Sequence, residues 1–325
     1  MNGLVYIVSP ITVVTGGTEL LHQLCFYINK LGGNAKIVYP ESYENSQVYK
    51  VFSERYNNPV CTSIDDKSEN CLVVPETRIE MLSTYKKMKK YVWWLSVDNY
   101  YGAFKRNDDF IHRIVYMLKD TKNSYQYIKC KHLVQSEYAR LFLINEKNID
   151  ENQIEYLSDY LNSTYLEEAV NNVNTSRENN VVYNPKKGID FTKKIMEFIP
   201  EVNWIPLQGY TPVEMRNLMF NSKVYIDFGN HPGKDRIPRE AAMCGCCIIT
   251  GLRGSAGNTI DVPIPREFKF SDNIENIDLI RQKILSCIYN YDDEAVKFTE
   301  YRGRIMGEEK CFVEDIKKVF AYYIS

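Results

Sequence analysis

The sequence is poor in the residues and segments that mark several common classes of protein. It has four histidines among 325 residues, which disfavours a catalytic scheme built on several imidazoles. No window approaches about 18 uncharged apolar residues, so no membrane-spanning helix is predicted. The first ten residues carry neither a basic region nor a cleavage site, so a secretory signal is not expected. The sequence therefore predicts a cytoplasmic protein.

A charge excess and a metal-binding pattern are missing as well. The net charge is −2, so nucleic acid is not an expected partner. The odd number of scattered cysteines favours a reducing compartment, and Cys244-Gly245-Cys246-Cys247 lacks a second ligand pair for zinc. The Asp-Asp pairs do not follow buried strands, so no metal and no other cofactor is predicted.

What the sequence does contain is an alternation of strands and helices. A buried strand at 4–8, a helix at 19–31 and a strand at 35–39 form the opening of a βαβ unit with a parallel sheet. Further elements of this half are strands at 71–74, 92–95, 132–135 and 154–157 and helices at 108–119 and 136–143. The length suggests two domains.

The polar segment 171–180, NNVNTSRENN, is the predicted linker. The alternation then restarts, with strands at 181–183, 203–207, 224–228 and 247–250 and helices at 191–198, 212–220, 239–243, 277–291 and 313–323. Thr211, Pro212 and Glu214 predict a capped helix start. The predicted fold is α/β, with two Rossmann-like doubly wound domains at 1–170 and 181–305. A C-terminal helix at 306–325 is expected to pack back on the first domain.

Ligands of open α/β sheets bind at the carboxyl ends of the strands. In the first half, Gly16 and Gly17 stand there, just ahead of a helix whose N-terminal amides favour an anion. A plain tight turn is the alternative. Since no G-x-G-x-x-G pattern is present and Val38-Tyr39-Pro40 ends the second strand, a dinucleotide cofactor is poorly supported.

In the second half the informative stretch lies between two buried strands, at 229–250. Gly229 and Gly233 permit a close approach of a ligand, and Glu240 could accept hydrogen bonds from ribose hydroxyls. The basic residues that could bind a phosphate are Lys234, Arg236 and Arg239. The alternative is a helix-terminal glutamate stabilised by the helix dipole, with solvated basic residues around it.

The run from Arg236 to Ile249, R-x-P-R-E-A-A-M-C-G-C-C-I-I, resembles the donor-site motif of the large retaining GT-B glycosyltransferase family that carries E-x7-E. Gly16-Gly17-Thr18-Glu19 matches that family's Gly-Gly-x-Glu loop, and the segment 184–188, NPKKG, fits its early basic residue and glycine. The resemblance implies two Rossmann-like domains that face a central cleft. It places the nucleotide-sugar in the C-terminal domain and the acceptor in the N-terminal domain.

The resemblance also implies roles for individual residues. Glu240 would bind the ribose, Lys187 and Arg236 would face the diphosphate as catalytic residues, and the loop 208–210 would border the base. The full set of predicted donor-binding residues is Gly16, Gly17, Asn184, Lys186, Gly209, Tyr210, His231, Gly233, Lys234, Arg239 and Glu240.

One position departs from the family pattern. The first Glu of E-x7-E would fall at position 232, which is Pro232. His231, Lys234 or Asp235 would have to take over part of its role, unless the loop is shifted. Because that Glu lies near the transferred sugar in the family, the stereochemical outcome and the sugar stay open.

The acceptor side is less marked. Trp93 and Trp94 precede Asp98 at the end of a predicted strand, where aromatic rings could stack on a sugar and Asp98 could take a proton as a catalytic residue. The alternative is that the tryptophans belong to the core and Asp98 to a turn. Ser136 and Glu137 follow the end of another predicted strand. Whether their side chains are exposed to the cleft or buried stays open.

The densest basic run is 85–91, YKKMKKY. It is either a solvated face or, through Lys86, Lys87, Lys89 and Lys90, a peripheral contact with the inner face of a membrane.

Taken together, these patterns predict a metal-independent glycosyltransferase with a nucleotide-sugar donor and a glycan, lipid-linked or protein acceptor, active in surface polysaccharide synthesis. The alternatives are a nucleotide-sugar epimerase or hydrolase, and a non-catalytic module of the same fold.

Overall fold

Two parallel sheets, one in each of two units of the chain, organise the structure. The structure, a computed structural model, describes residues 3–40, 42–101, 110–162 and 176–324, and of 110–117 and 119 the backbone alone. The first unit comprises Met1–Asp159 and Lys310–Ser325, and the second comprises Tyr160–Glu309. The predicted linker residues 171–175 and the predicted helix residues 108–109 lie outside the described residues.

The first unit is built on a sheet that, within the described residues, has seven parallel strands. They are β1 (Val5–Val8), β2 (Ala35–Val38), β3 (Val60–Cys61), β4 (Cys71–Pro75), β5 (Lys89–Trp94), β6 (Lys131–Val134) and β7 (Ile154–Tyr156). The strand order is β3-β2-β1-β4-β5-β6-β7, so the direction of winding reverses between β1 and β4. This is the predicted doubly wound arrangement, and it is confirmed.

Helices connect these strands. They are α1 (Gly16–Lys30), α2 (Gln47–Tyr56), α3 (Val97–Tyr101), α4 (Phe110–Tyr127) and α5 (Glu137–Asn145). The helix α1 begins three residues before its predicted start, because Thr15 caps it: the Thr15 hydroxyl accepts the Thr18 N–H (3.3 Å) and the Thr18 hydroxyl accepts the Thr15 N–H (2.8 Å). Such a reciprocal pair satisfies two amides that the first turn leaves without partners.

The second unit repeats the architecture on a smaller scale. Its described strands are β8 (Glu178–Tyr183), β9 (Asn203–Pro206), β10 (Ser222–Asp227) and β11 (Cys247–Thr250), in the order β11-β10-β8-β9. Its helices are α6 (Ile189–Phe198), α7 (Pro212–Phe220), α8 (Arg236–Met243), α9 (Ile277–Tyr289) and α10 (Tyr291–Ala295). The boundary between the two units, at 309–310, falls inside a further helix, α11 (Thr299–Val319). The winding reverses between β8 and β10.

Several element ends differ from the sequence prediction for physical reasons. The strand β8 starts at Glu178, inside the polar run, since the Glu178 N–H donates to the Asn221 carbonyl (2.8 Å) and a backbone pairing does not depend on apolar side chains. The helix α8 starts at Arg236, because Pro238 falls in its first turn, where a missing N–H costs nothing. The capping box of Thr211 and Glu214 is confirmed.

The two tryptophans of the predicted acceptor side belong to the core. Both are fully buried. The Trp94 indole N–H donates to His132 Nδ1 (3.0 Å), and the Trp93 indole N–H donates to the Leu157 carbonyl (3.3 Å). Neither ring can therefore stack on a sugar, and the core alternative is the correct one.

Ser136 and Glu137 are buried as well. Ser136 caps α5 by accepting the Ala139 N–H (3.2 Å), and Glu137 binds Arg140 in an ion pair (2.7 Å).

Among the described residues, no helix combines the length and the apolar content that a bilayer crossing requires.

We expect Trp94→Phe to lower the free energy of unfolding by about 1–3 kcal/mol, because His132 Nδ1 would then be buried without a donor. Urea unfolding followed by near-ultraviolet circular dichroism measures the change. Tyr125→Phe, at an exposed position, is the matched control. A Trp94→Phe protein as stable as the control would remove the structural role of the indole.

Candidate functional site

The loops that follow β8 and β10 flank the point in the second unit where the winding reverses. They approach so closely that side chains are excluded. Gly188 has a φ of +59°, and a Cβ added there would lie 2.4 Å from the carbonyl carbon of Phe228. A Cβ on Gly229 would lie 2.2 Å from Lys187 Cβ. Glycine at both positions is required for these loops to meet, and open α/β sheets bind ligands at such a crossing.

A cavity of about 380 Å³ opens beside these loops. The predicted donor-binding residues that line it are Asn184, Lys186, Gly209 and Tyr210, and the predicted catalytic residue Lys187 lines it as well. The other lining residues are Leu207, Gln208, Met215 and Ile237. Gly209 has a φ of +84°, with nothing within 4 Å of the position that a Cβ would take. A wall of apolar side chains with a few cationic and amide groups is typical of a site for a small polar ligand.

Lys187 connects this cavity to the loop after β10. Its ammonium group forms an ion pair with Asp235, the residue that precedes α8. Asp235 in turn lies 3.8 Å from Nδ1 of His231, and Nε2 of His231 lies 3.6 Å from Asp227. His231 is 0% exposed. The four side chains therefore run from the buried Asp227 and His231 to the half-buried Asp235 and Lys187.

Asp227, at the end of β10, anchors this chain. It accepts hydrogen bonds from the Gly229 N–H (2.8 Å) and the Tyr225 hydroxyl (2.8 Å). Burial would raise the pKa of Asp227, but the adjacent His231 ring, the charge of Lys187 and the Gly229 N–H outweigh it and lower the pKa. Asp227 was missed by the sequence analysis, although a carboxylate that ends a buried strand is a readable signal.

Asp227, His231 and Asp235 are also side chains of metal-binding type, with ligand atoms within 4.8 Å of one another. Both oxygens of Asp227 already accept protein hydrogen bonds, and Asp235 is paired with the Lys187 ammonium. A cation would have to displace these donors. The cluster fits an electrostatic support for Lys187 better than a metal site.

Glu308 holds two of the predicted cations. It lies on α11 and forms ion pairs with Lys234 (2.8 Å) and with the fully buried Arg239 (2.7 Å). Arg239 also donates to the carbonyls of Lys234 (3.0 Å) and Asp235 (3.2 Å). Through these contacts the buried Arg239 connects α11 to the loop that precedes α8. Its direct contact with a donor stays a prediction. Nothing in the sequence near Glu308 indicated this role.

The helix α8 carries the remaining predicted residues of this unit. Ile237 lines the cavity. Arg236 and Glu240 are four residues apart and Ile237 precedes Glu240 by three, so these side chains share one face of the helix. Arg236 is half-buried, Glu240 is 9% exposed, and the opposite residues Ala241 and Ala242 pack in the core. Their ligand contacts stay predictions.

Three predicted residues, Gly16, Gly17 and Asp98, belong to the first unit. The two glycines begin α1 beside the reversal between β1 and β4, and a Cβ added to Gly17 would lie 3.5 Å from the Leu95 side chain. Asp98 is half-buried in α3. The candidate residues therefore belong to two sheets, and in each sheet they follow the carboxyl ends of strands.

Glu76 is a carboxylate of the first unit that the sequence analysis missed. It follows β4 and accepts the Leu95 N–H (3.0 Å) at 4% exposure. Burial raises the pKa of Glu76 to about 7, against the smaller opposing effect of backbone hydrogen bonds. The sequence did contain a signal for this residue, because an acidic residue directly follows a proline at the end of a strand.

We expect Glu308→Ala to destabilise the second unit by about 3–5 kcal/mol, because it leaves the Arg239 guanidinium buried without its carboxylate partner. Differential scanning calorimetry checks this. Glu300→Ala is the control on the same helix, where an exposed pair with Arg304 should contribute almost nothing. Equal effects of the two substitutions would contradict the assignment.

Glu76 also predicts a pH dependence. Its pKa is about 7 in the folded protein and about 4.3 in an unfolded chain. Between these values the folded state holds the proton more strongly, so stability should fall as pH rises from about 4.5 to about 7. Urea midpoints across that range should flatten in Glu76→Gln relative to Glu80→Gln, an exposed control in the same turn. An unchanged slope would contradict the shift.

Neither a family model nor a curated protein matches the chain, whereas solved structures match it over nearly its whole length. A glycosyltransferase from Rickettsia africae ESF-5 is similar with a TM-score of 0.62 and 15% identity, covering 99% of this chain and 98% of that chain. Sucrose-phosphate synthase from Thermosynechococcus elongatus is similar with a TM-score of 0.66 and 12% identity, and the match covers 98% of each chain.

HepE from Anabaena, solved in complex with UDP-glucose, gives a TM-score of 0.64 at 10% identity and covers 98% of this chain and 99% of that chain. At such identities the likeness is one of fold. It agrees with the two parallel doubly wound sheets described above. The chain has the GT-B fold of these glycosyltransferases.

Proposed function

We propose that the protein is a glycosyltransferase that moves a sugar from a nucleoside-diphosphate sugar to a glycan, lipid-linked or protein acceptor. The GT-B fold supports this class, and the structure of HepE holds UDP-glucose. The observation that carries the proposal is the cavity at the reversal between β8 and β10, where Asn184, Lys186 and Lys187 meet the loop of Gly209 and Tyr210.

In this proposal the loop 208–210 borders the base and Glu240 accepts hydrogen bonds from the ribose. Lys187 and Arg236 meet the negative charge that grows on the leaving diphosphate. The ion pair with Asp235 fixes the position of the Lys187 ammonium, and the diphosphate would bind the ammonium in that position. Preformed cations of this kind support chemistry that needs no metal.

The first unit would supply the acceptor side. The N-terminal amides of α1 at Gly16 and Gly17 favour an anion, and Asp98 would accept a proton or bind acceptor hydroxyls. Glu76 offers a second carboxylate at a neighbouring strand end, with a pKa of about 7 that suits proton transfer near neutral pH.

The cellular setting is part of the same proposal. We place the enzyme in the cytoplasm, in surface polysaccharide synthesis, with a peripheral membrane contact through Lys86, Lys87, Lys89 and Lys90. Three of these lysines are exposed and Lys90 is half-buried, which supports a cationic face that an anionic surface can reach.

Pro232 favours a second candidate, a non-catalytic module of the same fold. It stands in place of a family glutamate, and the neighbouring His231 is buried beneath the loop, between Asp227 and Asp235. A chain that binds a nucleoside diphosphate but neither transfers nor hydrolyses its sugar would support that candidate. Release of a free or isomerised sugar without acceptor would instead identify a hydrolase or epimerase.

We expect Glu240→Ala to weaken binding of the preferred nucleoside diphosphate by about 10- to 100-fold, since hydrogen bonds to a charged carboxylate contribute about 1.5–3 kcal/mol. A thermal-shift screen of UDP, GDP, ADP, CMP and dTDP and their sugars identifies that ligand, and calorimetry then gives Kd. Glu300→Ala, an exposed site in the same unit, is the control. An unchanged Kd in Glu240→Ala would remove Glu240 from the site.

A further inference from the structure

A basic pocket in the first unit lies apart from the candidate donor and acceptor residues and includes part of the basic run 85–91. It has a volume of about 520 Å³ and opens at the amino ends of β5 and β6, the opposite ends from those that carry Asp98 and Ser136. The lysines that line it are Lys86, Lys89, Lys90, Lys129 and Lys131. Among the described residues no carboxylate lines it. The basic run of the sequence is therefore one wall of a cavity whose other wall comes from the turn after α4.

The pocket has an apolar floor and a cationic rim. Leu82, Met88, Tyr91 and Cys130 form the floor and are buried. The lysines of the rim are exposed, except for Lys90, which is half-buried. A concave site of this kind can enclose one compact anion, whereas a flat basic face would only attract a diffuse layer of counterions.

The backbone of one wall is held in place by Asp66. Its carboxylate accepts the N–H groups of Lys86 (2.7 Å), Lys87 (2.9 Å) and Met88 (3.1 Å). These backbone hydrogen bonds lower the pKa of Asp66. The carboxylate is thus engaged by the backbone of the loop.

The lysines differ in their present partners. The Lys89 ammonium lies 5.1 Å from the centre of the Tyr322 ring. Lys131 donates to the Asn152 carbonyl (2.7 Å) and lies 3.8 Å from Glu155. Within the described part of the chain, Lys86, Lys90 and Lys129 have no carboxylate in ion-pair distance. The pocket therefore carries uncompensated positive charge.

An exposed apolar strip adjoins the rim. Leu118 is 66% exposed, Tyr125 is 81% exposed and Ile128 is 47% exposed. Leu118 and Tyr125 are seven residues apart on α4, which places them on one side of the helix, and Ile128 continues that side just past its end. Tyr125 also lines the pocket, so the strip and the cationic rim meet.

We infer that this pocket binds the phosphate headgroup of an anionic phospholipid while the strip enters the interface of the bilayer. Lysine ammonium groups suit a phosphate as compact point charges. Apolar side chains beside a cationic cluster are the arrangement by which proteins lie on an anionic leaflet. The inference rests on the membrane contact proposed above and names its ligand, but it does not depend on the sugar-transfer reaction.

The test is co-sedimentation of the full chain with vesicles of phosphatidylcholine, with or without phosphatidylglycerol. We expect binding with phosphatidylglycerol and little without it. Lys90→Glu/Lys129→Glu should weaken binding by about 25-fold or more, since each lysine near such a surface contributes about fivefold. The matched control is Lys193→Glu/Lys194→Glu, two exposed lysines of α6 with the same change in charge.

The apolar strip has its own test. Leu118→Ser/Tyr125→Ser should reduce vesicle binding at every salt concentration, whereas the lysine substitutions should weaken its dependence on salt. Should the charge-reversal variant fail to fold, Lys90→Gln/Lys129→Gln replaces it and should still weaken binding several-fold.

Three results would overturn the inference. Equal losses in the pocket variant and its control would mean that overall charge, and not this pocket, drives binding. Equal binding to neutral vesicles would exclude headgroup recognition. Competition by glycerol 1-phosphate at the same concentration as lipid phosphate would identify a site for a soluble phosphate instead. Nucleotide binding of the same variants, measured by calorimetry, reports on the proposed function separately.

Discussion

The close approach of two loops in the second unit is the constraint on which the candidate site depends. Gly188 and Gly229 allow the loop after β8 to touch the loop after β10, and this contact brings Lys187 to Asp235. Without it the cavity would lose its cationic wall. The two positions also explain why glycine is needed there and not merely tolerated, because added Cβ atoms would overlap backbone or Lys187.

Electrostatics then holds the loop in one arrangement. Buried charges are tolerated when each has a partner. Here the Asp235 carboxylate pairs with the Lys187 ammonium, and the His231 ring lies between Asp235 and the Asp227 carboxylate. Glu308 on α11 is the carboxylate partner of the buried Arg239 guanidinium. The exposed cationic pocket of the first unit is the opposite case: its lysines stay in water with few partners, which leaves them available to an anion.

Much of the fold was readable from the sequence. The apolar runs of β1, β4, β10 and β11 were predictable because strands buried on both faces need continuous apolar residues. The boundaries of α1 and α8 were not, since Thr15 and Thr18 cap each other and Pro238 is harmless in a first turn. For the site, the sequence indicated Asn184, Lys187 and Glu240 through glycines, cations and a family resemblance, but it missed Asp227, Glu76 and Glu308.

The sequence by itself determined the alternation of elements, the paired loop glycines and the residue types at the strand ends, because these are local properties of the chain. Only the tertiary structure decided which charges meet. It buried Trp93, Trp94 and Arg239, joined Glu308 to residues some seventy positions away, and turned a run of lysines into one wall of a pocket. Such contacts depend on long-range packing, and no local pattern encodes the partner of a buried charge.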